Sequence, residues 1–364
     1  MNDKALFCTL NGIHELSGGG LYARNICNYI SRKSKLLAIY CKNTNEDSME
    51  SNHNDIEVYH LNKNPFVDLV SRIFLSPSFL VFYSFLILLH IRRFNPDTVY
   101  LHNSRNGILG LLIKLFFRTK IIICFDNVES KLSKMNISSK GIKGLISAVD
   151  FVLCKISDYL SFKVASKCLF ITKQDRDYFI ERYGNIDTEI LPIKIPLKNY
   201  KKVDKKDIDI LFTGTFNFYP NEAAFIELIC IANKLTDKKF VIAGRASYDM
   251  KRYMPPKNII LIDSPSSDDM QSLFCRARLY VSPVKIGSGM KTKVAEAMSF
   301  GLPVVCSEHS LIGYDDIDDV SFIAKAESIE QYVNKISYFL SLKDEELELL
   351  KDDSYRAFGK YYSF

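Results

Sequence analysis

Three lysines and three glycines crowd into one stretch: Pro283-Val-Lys-Ile-Gly-Ser-Gly-Met-Lys-Thr-Lys-Val-Ala-Glu-Ala-Met-Ser-Phe-Gly-Leu-Pro-Val-Val305. The apolar run 279–284 before it reads as a strand, and 293–301 reads as a helix with Gly301 in the C′ position. Gly287 and Gly289 flank Ser288; without a Cβ they let backbone amides come close to a ligand. Met290 leads into the helix, and Lys291 and Lys293 stand at its start. A helix N-terminus already attracts anions, so cations in the first turn work against the dipole unless an anion is bound there. Glu296 follows Lys293 by three residues, one turn on. A carboxylate beside a phosphate site is useful when it accepts hydrogen bonds from hydroxyls such as those of a ribose. The spacing therefore fits a phosphorylated, ribose-bearing ligand. The plainer alternative is a glycine-rich loop with solvated lysines.

Other candidates follow strand ends, the ligand side of an open α/β sheet. His102 ends the strand 98–103; it could bind an acceptor or a sugar, or simply cap the strand. Asp126 and Glu129 follow the strand 121–125, and Glu129 could orient an acceptor hydroxyl or cap a helix. Near the N-terminus, the apolar run 4–11 is followed by Gly18, Gly19 and Gly20, then by helical spacing of Leu21, Ile26, Tyr29 and Ile30. A glycine loop between strand and helix opens a doubly wound unit; a plain tight turn is the alternative. Arg245, just after the strand 239–244, could reach a phosphate or stand on the surface. No Ser/His/Asp triad order and no phosphate loop ending in Gly-Lys-Ser/Thr occurs.

The elements that must position these residues alternate regularly. Strand-length runs at 36–41, 56–61, 98–103, 121–125 and 166–172 are separated by helical patterns such as 107–117, 145–165 and 175–183. The Pro- and Lys-rich stretch 191–207 breaks the series. Alternation resumes with strands at 208–214, 239–244, 258–263 and 279–284, interleaved with helices at 221–235 and 268–277. The reading is an α/β chain of two Rossmann-like doubly wound domains facing each other across a cleft. Their boundaries are 1–195 (acceptor side), a linker at 196–207, and 208–364 (nucleotide-sugar side).

The 283–305 stretch resembles the donor-site signature of the retaining "group 1" glycosyltransferases of GT-B fold, family 4 of the sequence classification. LFTGTFNFYPNEAA (211–224), GLYARN after the first glycine cluster, FDNVES (125–130) and LFITKQDRDYF (169–179) are similar to further family segments. The resemblance covers almost the whole chain and is densest over 208–313. It implies transfer of a sugar, with retention, from a nucleotide-sugar donor to a glycan acceptor, lipid-linked, in surface polysaccharide biosynthesis of the capsule or O-antigen kind. It implies donor contacts at Gly19, Gly20, Gly214, Thr215, Gly287, Ser288, Gly289, Met290, Lys291 and Glu296, and chemistry at Lys291, Lys293, Glu296 and Asp126. His102 and Glu129 are left for the acceptor. No cofactor and no metal is expected, because the family manages without one. Three positions depart from the pattern. Ser288 stands where many members carry a carboxylate, Thr215 where many carry Arg, and Asp126 where members often have His. Epimerases of the same fold and a non-catalytic nucleotide-binding partner subunit are the competing readings.

Composition bounds the rest. Of 364 residues 47% are apolar and 25% charged, ordinary globular usage that excludes disorder and a disulfide scaffold. Residues 1–200 hold 26 Lys+Arg against 18 Asp+Glu, a balance of +8; residues 201–364 hold 22 against 24, a balance of −2. A basic half meets anions, but the basic residues are scattered and no nucleic-acid motif accompanies them, so nucleic acid is not expected. Nine cysteines without zinc spacing, mostly in apolar runs, read as reduced thiols of a cytoplasmic protein. The N-terminus does not read as a signal peptide. Residues 73–91 run for 19 positions without Asp, Glu, Lys or Arg. As one helix they would span roughly 28 Å, near bilayer thickness. A true crossing would put strands of one sheet on opposite sides of a membrane, and Pro77 would break the helix. A buried helix or a dip into the inner leaflet of the cell membrane, with peripheral attachment, remains.

Overall fold

In the computed structural model the residues described are all except 1–2, 16, 45–55, 136, 138–141, 197–205, 288 and 318. The chain folds as two units, unit 1, Met1–Ile193, and unit 2, Lys194–Phe364. The expected linker falls largely outside the described residues.

Unit 1 carries seven strands: β1 (Lys4–Cys8), β2 (Lys35–Lys42), β3 (Glu57–Leu61), β4 (Thr98–His102), β5 (Lys120–Phe125), β6 (Lys167–Phe170) and β7 (Thr188–Ile190). Every pair is parallel, in the order β3-β2-β1-β4-β5-β6-β7. Its helices are α1 (Gly18–Lys33), α2 (Pro65–Ile73), α3 (Ser84–Phe94), α4 (Gly107–Phe116), α5 (Glu129–Met135), α6 (Ile142–Val164) and α7 (Lys173–Tyr183). Parallel strands are covered on both faces and so read as apolar runs; β4 is buried at all five positions.

Unit 2 repeats the plan with six parallel strands: β8 (Ile208–Thr213), β9 (Phe240–Gly244), β10 (Ile259–Asp263), β11 (Ala277–Ser282), β12 (Val304–Cys306) and β13 (Ile323–Lys325), ordered β10-β9-β8-β11-β12-β13. The helices are α8 (Tyr219–Lys234), α9 (Ser267–Arg276), α10 (Thr292–Ser299), α11 (Ile329–Ser341) and α12 (Asp344–Tyr361). Gly301, with φ +69°, follows the end of α10 in the left-handed conformation expected at C′. After α12 the chain returns to the start of the unit, where the Ile195 N–H donates to Tyr362 O at 2.8 Å.

Two expectations are corrected. The apolar segment 73–91 is not one helix. Ile73 ends α2, Leu75 turns the chain with φ +56°, and a short 3-10 helix at Phe79–Val81 precedes α3. Serines flanking Pro77 satisfy the backbone instead of a helix: Ser78 N–H donates to Ser76 Oγ at 3.1 Å and Leu80 N–H to Ser78 Oγ at 3.2 Å. Among the described residues no helix is long and apolar enough to cross a membrane. Second, Gly18–Gly20 do not form a loop. They are the first turn of α1, capped by Ser17, whose Oγ accepts from Gly20 N at 3.1 Å. No two of the nine cysteines are joined in a disulfide.

Gly244 and Gly214 meet where β8 and β9 end. Gly244 has φ +139°, and a Cβ there would lie 1.9 Å from Gly214 O. Gly244→Ala is expected to destabilise unit 2 by at least about 2 kcal/mol, from combined strain and overlap. Urea unfolding of the variant reads it, and an unchanged midpoint would contradict this close approach.

Candidate functional site

In both sheets the crossovers change direction beside the strand that starts the unit. Ligands of open α/β sheets bind at such switch points, outside the carboxyl ends of the strands. In unit 1 the switch lies between β1 and β4, and in unit 2 between β8 and β11. The sequence candidates fall beside these two places.

In unit 2 the β11–α10 connection carries Gly287 (φ +111°) and Gly289 (φ +69°), both in the region that favours glycine. Ser288 lies outside the described residues. Met290 is buried. Lys291 occupies the N-cap of α10 and makes no side-chain cap; its Nζ donates to Gly289 O at 3.0 Å, folding over the loop. Thr292 and Lys293 hold the first helical positions, whose N–H groups point out of the helix end, as at every α-helix start. Lys293 Nζ donates to Glu296 Oε2 at 2.5 Å. Gly214 follows β8, where a Cβ would press on the Asn221 side chain at 2.9 Å, and Asn221 Nδ2 holds Thr215 O at 2.9 Å. Thr215 and Arg245 are exposed.

Sequence reasoning missed what holds this turn. Tyr314, buried, inserts its hydroxyl into the first turn of α10: it donates to Lys291 O at 2.8 Å and accepts from Ala295 N at 2.8 Å. A lone aromatic in the run 311–319 gives no periodic signal for this. His309 lies close by. Burial first, then the Lys291 ammonium, pull its pKa below the ordinary histidine value, against hydrogen bonds to the backbone of Gly287 and Ile286. A neutral ring beneath the glycine loop leaves the cationic charge to the lysines.

In unit 1 the structure brings His102, Asp126 and Glu129 into one network. His102 is fully buried. Thr9, just past β1, shares a 2.8 Å hydrogen bond with His102 Nδ1 and accepts from Asn11 N at 3.1 Å. His102 Nε2 faces Asp126 Oδ2 at 3.5 Å. The Asp126 carboxylate favours the ring proton on Nε2, and Thr9 Oγ1 then donates to Nδ1 while accepting from Asn11. The opposite tautomer would set a nitrogen lone pair against Asp126. Asn103, missed in the sequence, has φ +78° and donates from Nδ2 to Asp126 Oδ1 (2.7 Å) and Glu129 Oε1 (2.8 Å). Non-glycine backbone in that region is uncommon outside special sites. Arg105 Nε donates to Glu129 Oε2 at 2.7 Å, and its terminal nitrogen lies 3.5 Å from Asp150. Burial opposes the Arg105 charge, but the carboxylates of Glu129 and Asp150 more than offset it and raise its pKa. Gly19 and Gly20 start α1 above the 9–15 loop: a Cβ on Gly20 would sit 2.2 Å from Glu15 O. Arg24 ties the same loop to α1 through Ile13 O at 2.7 Å.

Beneath this network Asp158 is buried and accepts from Ser104 Oγ (2.5 Å) and Ser130 N (3.0 Å). Burial pushes its carboxyl up to about 6, against those hydrogen bonds. The folded chain therefore holds a proton there that the unfolded chain, with an ordinary carboxylate, has lost. This contribution to stability is present below the ordinary carboxylate pKa and is lost as pH rises through about 6. Unfolding free energy should fall across that window by on the order of 2 kcal/mol, and Asp158→Asn should flatten the fall. A second expectation is spectroscopic. Long-range 15N–1H correlation of the neutral His102 ring, assigned with His102→Gln, should report the Nε2–H tautomer; the Nδ1–H pattern would contradict the geometry.

Residues 207–341 match the family Glycosyl transferases group 1. An uncharacterized 44.6 kDa protein in the cps region of Klebsiella pneumoniae is 31% identical over 147 residues, 36% of each chain. The chain thus matches little more than a third of that relative's length. Among solved structures, sucrose-phosphate synthase from Thermosynechococcus elongatus is similar with a TM-score of 0.76 at 12% identity, over 99% of this chain and 95% of that one. HepE of Anabaena in complex with UDP-glucose is similar at 0.70 and 12%, over 99% and 96%. A glycosyltransferase from Rickettsia africae is similar at 0.68 and 14%, over 100% and 94%. Unit 2 carries a group 1 glycosyl transferase domain, and the chain as a whole has the two parallel-sheet α/β architecture of the GT-B glycosyltransferases.

Proposed function

We propose that the protein transfers a sugar, with retention, from a nucleotide-sugar donor to a glycan acceptor, lipid-linked, in surface polysaccharide assembly. The observation that carries this is the start of α10 at the β8–β11 switch point: two positive-φ glycines, Lys291, Lys293 and Glu296 within one group 1 domain. The UDP-glucose bound by HepE supports a nucleotide-sugar donor. The cps region of the Klebsiella pneumoniae relative supports polysaccharide assembly. The basic first half and its apolar surface support a peripheral place at the inner face of the cell membrane.

In this reading the open N–H groups of α10 and the Lys291 and Lys293 ammonium groups take the diphosphate. The bond from the anomeric carbon to the diphosphate oxygen breaks, and negative charge grows on the leaving group. Fixed cations and amides stabilise it most at that point. The acceptor oxygen then bonds to the same face of the anomeric carbon, and its proton passes to the departing phosphate. Glu296, relieved of Lys293, accepts from the ribose hydroxyls. Asp126, held by Asn103 and facing His102, meets the transferred sugar; Glu129 and its Arg105 partner border the acceptor side. No metal takes part.

Acceptor-dependent release of nucleoside diphosphate from UDP-, GDP- or ADP-sugars tests the reading. Release without an acceptor requirement would favour an epimerase, and no turnover a partner subunit. Thermal shifts with UDP, GDP and ADP identify the base, because a ligand at 100 times its Kd adds about 2.7 kcal/mol of stability. Lys291→Ala or Lys293→Ala should cut kcat by about tenfold or more while donor KM changes less. Glu296→Ala should weaken donor binding by roughly 1.5–3 kcal/mol in a folded protein. Activity should survive EDTA. Full activity in all three variants would refute the phosphate and ribose assignment.

A further inference from the structure

Helix α6 is amphipathic, and it wears its apolar face outward. Leu145, Val149, Val152, Ile156 and Tyr159 recur at i, i+4, i+7, i+11 and i+14, one stripe along the helix, and all are exposed, Leu145 at 68% and Val152 at 52%. The buried side holds Cys154, Ser157, Asp158 and Ser161 beside Leu153 and Phe162. That orientation is locked. Ser157 Oγ and Ser161 Oγ both donate to Ser104 O, at 2.8 and 2.7 Å, and a Cβ on Gly107 would lie 2.5 Å from Ser157 O. The helix cannot turn its stripe inward without unmaking this contact.

The apolar surface continues beyond α6. On α2, Phe66, Leu69 and Ile73 form a second exposed stripe. The Arg72–Asp150 ion pair, 3.1 Å, ties α2 to α6. The Phe66 ring stands edge-on to Phe82 at 6.1 Å, and Phe82 leads to exposed Phe85 and Leu89 on α3. Contiguous apolar faces of this kind mark interaction sites rather than ordinary surface.

Charge decides the occupant. Residues 57–165 hold 14 Lys+Arg and 7 Asp+Glu. Asp126, Glu129, Asp150 and Asp158 among those acids face inward, with side chains at most 16% exposed, and Glu129 and Asp150 engage Arg72 and Arg105; without these six the segment still holds 12 basic against 3 acidic residues. Arg92 extends the Phe85 and Leu89 stripe by its i+3 spacing, and Lys63 and Lys155 are exposed at the ends of α2 and along α6. We propose that this face lies on an anionic bilayer surface, its α2, α3 and α6 stripes in the head-group and upper acyl region and its basic rim on lipid phosphates. A second copy of the same face would oppose like charges across the contact. The proposal assigns a surface to the peripheral location proposed above and is independent of the transfer chemistry. It replaces the continuous 73–91 helix, which does not form.

Vesicle flotation tests it, with phosphatidylcholine alone and with added phosphatidylglycerol. The full chain should float with the anionic vesicles and partly resist high salt. V152E/I156E, at exposed positions, should lower the partition coefficient by tenfold or more with an unchanged circular dichroism spectrum, and R92E/K155E should remove the anionic preference. The chain has no Trp, so Val152→Trp and Phe85→Trp are single reporters. Brominated lipid should quench both and spare Tyr338→Trp on α11. These reporters keep the test open if the charged variants fail to fold. Absence of flotation, or flotation and quenching indifferent to these positions, would overturn the proposal. So would self-association without vesicle binding that V152E/I156E abolishes, which would make the face a contact between copies. Nucleoside diphosphate release measured separately tells failure here from failure of the transferase reading.

Discussion

All strand pairs in both sheets run parallel, so each connection within a sheet must run back from the carboxyl end of one strand over a sheet face to the amino end of the next. That geometry covers the faces with helices and leaves the carboxyl ends open where the crossovers part direction. In unit 2 the open place lies between β8 and β11, and α10 starts there. The position of the cations follows from this constraint more than from local preference. Lys291 and Lys293 oppose the helix dipole, and an isolated helix would not favour them there.

Around that opening the chain gives up ordinary local satisfaction. Tyr314 bridges Lys291 O and Ala295 N in the first turn of α10 with its hydroxyl, so the turn is braced from outside rather than by a capping side chain. Gly244 is forced by the approach of the Gly214 carbonyl. In unit 1 the equivalent opening is lined by acids, each answered by a donor: Asp126 by Asn103, Glu129 by Asn103 and Arg105, Asp158 by Ser104 and Ser130. Buried charges persist only when paired in this way. The two units thus present opposite chemistry at their switch points, cationic in one and carboxylate-rich in the other.

Helix α6 links that acidic network to the outer surface. Its serines face α4, where a Cβ on Gly107 would meet the Ser157 carbonyl, and Leu153 and Phe162 pack inside beside them. The stripe from Leu145 to Tyr159 lies on the other side and stays exposed.

The sequence by itself determined the alternation of strands and helices, the parallel α/β class and the glycine–lysine turn ahead of α10, including the left-handed Gly301. Those are local signals: apolar runs of strand length, period-3.6 helices, and residues whose backbone freedom or charge is distinctive. It also located His102, Asp126 and Glu129 at strand ends, though not their mutual contacts, which join residues up to 93 positions apart through Thr9. Ser17 caps a helix that takes in Gly18–Gly20, and Pro77 with its neighbouring serines breaks 73–91; both are local effects. Only the tertiary structure decided which face of α6 is covered. Periodicity reports that a helix has an apolar side; what lies against each side depends on packing partners far away in the chain.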